Sequence, residues 1–97
     1  MATSEKTMRE FLFTAQKWQR RAALKSIADV EVATSHFNGR TNLRVSAYLR
    51  NEKDELAKDE NGELICKIAI MYHYDDEKTC RAAFEEVGKF LTDNKAI

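Results

Sequence analysis

The decapeptide MYHYDDEKTC, residues 71–80, gathers a histidine, two tyrosines, two aspartates and a cysteine. His73 with Asp75 or Asp76 has the residue types of a general base and its orienting carboxylate. Metal ligation is the other chemistry that such residues offer. A zinc site needs about four Cys, His or carboxylate ligands with one pair closely spaced. Cys66 and Cys80 stand fourteen positions apart, and the chain holds two histidines. The acidic run DENGE (59–63) fails as a calcium loop. With Gly62 at its glycine position, Ala57 and Ile68 fall where oxygen ligands are required. The chain has no Gly-x-Ser-x-Gly elbow and no phosphate-cradling glycine loop, and two of its three glycines sit in turn sequences. No metal, no cofactor and no catalysis are expected, with a small enzyme based on His73 ranked third among the functions.

The elements that must position these residues are legible around them. Thr3 or Ser4 can cap a first helix, with Glu5 where the helix dipole favours an acid. Met8, Phe11, Leu12, Ala15, Trp18, Gln19 and Ala22 then recur at helical spacing. Phe13 and Leu24 fall off that stripe among Lys6, Lys17, Arg20 and Arg21. Either a wide helix face buries them, or they form an exposed anchor pair. In VEVATSHFNGRTNLRVSAYL, Asn38-Gly39 is the preferred centre of a two-residue type I′ hairpin turn. That turn sets Val30 opposite Ala47, Val32 opposite Val45 and Thr34 opposite Leu43 on one side, with polar pairs on the other.

Leu64, Cys66, Ile68, Ile70 and Tyr72 give a third strand the same alternation, and they are expected beneath the helices. Residues 51–62 lack a core row and should form a projecting loop or a bulged arm, anchored by Leu56. Asp75 or Asp76 caps a second helix whose buried stripe is Cys80, Ala83, Phe84, Val87 and Leu91, with Asn94 as its stop. The expected fold is α+β, in the order α-β-β-β-α. It is a three-stranded antiparallel meander with both helices packed on one face, in one domain spanning 1–97. MYHYDDEKTC then reads as a strand-to-helix hinge.

A one-sided layer leaves the other sheet face open. The alternation assigns it Arg44, Ser46, Tyr48, Arg50, Ile65, Lys67, Ala69, Met71 and His73. Arg44, Tyr48, Lys67, Met71 and His73 are the candidate partner-binding residues, since bases among apolar and aromatic side chains suit an interface. The acidic arm, with Asp54, Glu55, Asp59 and Glu60, is the second candidate surface. Formal net charge is zero, yet residues 1–28 carry +4 and residues 51–63 carry −4. That balance lacks the basic excess of many nucleic-acid binders. No apolar run reaches the ~20 residues of a membrane span, and no signal pattern accompanies MATSEKTMRE, so the expected address is the cytoplasm.

Two resemblances follow from these residues. The α-β-β-β-α order resembles the double-stranded-RNA-binding domain, which implies a nucleic-acid-binding module. That family places a lysine cluster at the start of its last helix; this chain has the acidic DDEKTCRAAFEE there. NGELI (61–65), then YHYDDE (72–77) and a final amphipathic helix, is similar to the small inhibitors that short-tailed phages direct against the host dGTPase. This likeness covers about the last 40 residues. It implies a phage-type protein, working in the host cytoplasm, that binds and disables a bacterial enzyme or defence complex without catalysis. The favoured expectation is such an interaction protein, with a protein partner or a second copy on the open face. A nucleic-acid-binding module is the alternative.

Overall fold

Asn38 and Gly39 both take positive φ, 52° and 71°, the backbone that a type I′ turn demands. They join β1 (Ala28–Phe37) to β2 (Arg40–Leu49). The pairing is the one the turn dictates: Val30 opposite Ala47, Val32 opposite Val45, Thr34 opposite Leu43. β3 (Cys66–Met71) adds antiparallel to β2, giving the sheet order β1-β2-β3. Before the sheet runs α1 (Glu5–Lys25), and after it α2 (Glu77–Asp93). The computed structural model describes residues 2–97.

Both helices lie on one face, over Val30, Leu43, Val45 and Ala47. Ser4 caps α1 by accepting from the Thr7 N–H, and Asp76 caps α2 by accepting from the Thr79 N–H. The two helix starts are tied together. The Thr7 hydroxyl donates to Glu77 Oε1 at 2.6 Å, and Ala2 bridges Asp76. Between the helices Phe84 meets Phe11 at 4.7 Å and stacks on Trp18 at 4.5 Å. Phe13 and Leu24 stay outside this contact, 63% and 88% exposed, so the wide buried helix face is excluded.

Gly88 is where α2 comes nearest the indole. A Cβ there would lie 2.9 Å from Trp18 Cζ2. Alanine in place of a mid-helix glycine ordinarily gains about 1 kcal/mol. Here overpacking against a ring already stacked on Phe84 outweighs that gain, at about 1–3 kcal/mol. Gly88→Ala should therefore lower the denaturation midpoint in urea. In a Trp18→Leu background the same change should raise it.

The third strand corrects the expected face. Leu43, Val45 and Ala47 stand opposite Met71, Ala69 and Lys67. Met71 and Ala69 are buried under the helices, whereas Ile68 and Ile70 face outward. The row Cys66, Ile68, Ile70 and Tyr72 thus lies on the open side, against expectation. Volume gives the physical reason. With Phe11, Trp18 and Phe84 already filling the helix layer, an alanine and an unbranched methionine fit where two isoleucines would overfill it.

Residues 51–64 are a folded arm rather than a ladder. Asn51 Oδ1 accepts from the Lys53 and Glu55 N–H groups, and Asp59 Oδ1 accepts from those of Asn61 and Glu63. Two tight turns result. Ala57 returns between the strands, donating its N–H to Leu49 O and accepting from the Ile65 N–H. Leu56, the expected anchor, bridges Arg50 and keeps 37% of its surface exposed.

Candidate functional site

The hinge is held by hydrogen bonds to its backbone carbonyls. The Thr3 N–H lies within hydrogen-bond distance of both His73 O and Asp75 O, and the Thr3 hydroxyl donates to Asp75 O at 2.8 Å. The Cys80 thiol is buried 3.3 Å from that hydroxyl, and burial pushes its pKa up. A buried thiol with a raised pKa is a weak nucleophile. His73 finds its orienting group in Asn42 rather than in Asp75 or Asp76. Asn42 Oδ1 accepts from the His73 N–H and lies 2.9 Å from Nδ1. That carbonyl assigns the ring proton to Nδ1. Tyr74 packs edge-on against the imidazole and stacks on Tyr72 at 5.0 Å. Among the described residues, no three His, Cys, Asp or Glu side chains converge as metal ligands.

Of the five candidate partner-binding residues, two lie together on the open face. Arg44 stands there between Ala33 and Ile70, and Tyr48 between Asp29 and Cys66. Lys67 and Met71 belong to the other side. Met71 is fully buried opposite Leu43, and Lys67 Nζ lies 3.4 Å from Glu86 Oε2 on α2. Their displacement follows from the reversed parity of β3. His73 lies past the end of the strand, half-buried in the turn. Cys66, expected in the core, is half-buried on the outer row, and both cysteines are free.

Ile68, Ile70 and Tyr72 replace Lys67 and Met71 on the open face. The two isoleucines are 48% and 46% exposed, beside Arg44 and Ser46. Ala33, Asn42, Arg44, Ile70 and Tyr72 line a shallow groove of about 250 Å³ across the three strands. Sequence alternation could not find these residues, because both parities of the third strand are apolar.

The acidic arm is partly spent on its own structure. Arg50 reaches Asp29 and also both the carboxylate and the carbonyl of Asp54. Those hydrogen bonds raise the Arg50 pKa, Asp54 being the largest cause. Asp59 holds the second turn, while the side chains of Glu55 and Glu60 point into solvent.

A polar lock that sequence reading missed joins α1 to the sheet. The Thr41 N–H and hydroxyl donate to Glu5 Oε1 and Oε2 at 2.7 and 2.9 Å, and the Thr41 oxygen lies 3.0 Å from His36 Nδ1. The backbone hydrogen bond from Thr41 is the main force lowering the Glu5 pKa, with the Thr41 hydroxyl, His36 and Arg9 assisting against desolvation. A carboxylate whose folded pKa is depressed stabilises the fold above its unfolded pKa, and that stability is lost as pH falls through the folded value. Between about pH 5 and 3, the Tm of the wild type should fall more steeply than that of Glu5→Gln.

Comparison with known protein families, curated proteins and solved structures gives no match to this chain.

Proposed function

We propose that this chain is a non-catalytic interaction protein whose working surface is the outer face of its sheet. One observation carries the reading. Ile68 and Ile70 stand about half exposed in the middle of a regular strand, flanked by Arg44, Tyr48 and Tyr72. Apolar anchors beside arginine and tyrosine are the composition of an interface centre. The groove that Arg44, Ile70 and Tyr72 border is shallow and open, which suits a protein surface better than an enclosed small substrate.

The partner we favour is a bacterial enzyme or defence complex in the cytoplasm, bound and occluded as the resemblance to phage-borne inhibitors implies. Among the described residues, no helix is long and apolar enough to cross a membrane. The nucleic-acid alternative has less support. The start of α2, where an RNA-binding relative would grip phosphates, carries Asp75, Asp76 and Glu77.

The experiment is affinity capture from bacterial lysate, with Arg44→Ala/Tyr48→Ala protein on a parallel column. Wild type should retain a protein that the double variant loses. Retention by both columns alike, or tight binding of duplex RNA at physiological salt, would refute the reading.

A further inference from the structure

We propose that a second copy of this chain adds to the free edge of β3, strand against strand, about a two-fold axis through Ala69. This goes beyond the partner reading and requires no partner. Strand parity supplies the geometry. The Leu49 N–H donates to Ile65 O, so odd-numbered residues of β3 direct their peptide groups at β2. Cys66, Ile68 and Ile70 then direct theirs away from the sheet. Among the described residues, no strand, turn or side chain hydrogen-bonds to them. An uncovered edge of this kind is a template for pairing.

The opposite edge is managed differently. Gln19 of α1 donates its amide to the outward carbonyl of Val30, and the flanking β1 residues Asp29 and Glu31 are charged and exposed. On β3 the one charged residue, Lys67, is on the helix side near Glu86. Its outward row is apolar. The two edges of one sheet therefore differ: β1 has a capped carbonyl between two exposed carboxylates, whereas β3 presents an uncapped, apolar row.

Self-pairing also satisfies the side chains. With the axis at Ala69, Ile68 of one copy stands opposite Ile70 of the other, and Cys66 opposite Tyr72. Ile68 and Ile70 of both copies exchange about four backbone hydrogen bonds, and their side chains merge into one apolar patch on the outer face. A six-residue edge alone buries less than the roughly 1,000 Å² of a specific interface. The flank of α2 leans over the same edge and supplies a second layer. There Lys67, Glu86, Lys89, Phe90 and Asp93 border a groove of about 260 Å³, with charges of both signs to meet their two-fold mates.

Sedimentation velocity on the full chain, from roughly 1 to 100 µM, should show a monomer–dimer equilibrium with a micromolar Kd. Ile68→Pro removes an outward N–H without touching the ladder to β2, and should weaken dimerisation by at least about tenfold. In a Cys66→Ser background, Ile68→Cys protein mixed with Ile70→Cys protein should form an interchain disulfide under mild oxidation. Either alone should form little, because the pairing is of 68 with 70. A chain that stays monomeric throughout overturns the proposal. So does a dimer that gives no such mixed cross-link, even if Ile68→Pro fails to fold.

Discussion

Met71→Ala should cost about 2–5 kcal/mol of stability, while Ile70→Ala, one residue away, should cost less than about 1 kcal/mol. Met71 is fully buried opposite Leu43 on the helix-covered face, so its truncation removes apolar contacts and leaves a cavity. Ile70 keeps about half its surface in water, and its truncation leaves no enclosed void. For a domain of this size, a loss of that order lowers Tm by roughly 10 °C or more. The reverse ranking, Ile70 critical and Met71 tolerant, would return β3 to the face its hydrophobic alternation suggests. Urea unfolding of the two variants side by side gives the answer directly.

That contrast marks the boundary of what the sequence makes legible. Asn38-Gly39 fixes the first hairpin because a two-residue turn leaves no freedom in register, and the alternation of Val30, Val32, Leu43 and Val45 agrees with it. The capping residues and apolar stripes are equally local, and they place both helices. β3 is different. It is joined to β2 by sixteen residues that fold back through two turns, so no short loop transmits a register. Ile65, Ala69 and Met71 compete with Cys66, Ile68 and Ile70 for the core, and a one-residue change of parity exchanges them. Packing under the helices decides, and packing is not written in a two-residue period.

The candidate site inherited this ambiguity residue by residue. Arg44 and Tyr48 were placed by the hairpin and stand on the open face. Lys67 and Met71 were placed by β3 and do not. The Glu5–Thr41 lock spans thirty-six positions between a helix start and a strand start, with no local pattern to announce it.

On the open face, Arg44→Ala and Tyr48→Ala should each weaken partner binding by roughly 30-fold, the loss of about 2 kcal/mol expected of an interface anchor. Both sit on the central strand with side chains outside the helix-covered core, so the melting curve should barely move. They also lie off the β3 edge, so the monomer–dimer equilibrium should survive them. The competing surface is the acidic arm, and the choice of variant there matters. Reversing Asp54 would strip a partner from Arg50, and reversing Asp59 would unmake the second turn. Glu55 and Glu60 have solvent-exposed side chains, and Glu55→Lys/Glu60→Lys changes charge with the least change in structure. If the arm only steers encounter, this pair should slow association at low salt and leave dissociation unchanged. Surface plasmon resonance at two salt concentrations resolves the two cases. Faster dissociation from the sheet variants places the contact on the outer face of β2. Sheet variants that bind like wild type, with arm variants that dissociate faster, would move the interface to the arm.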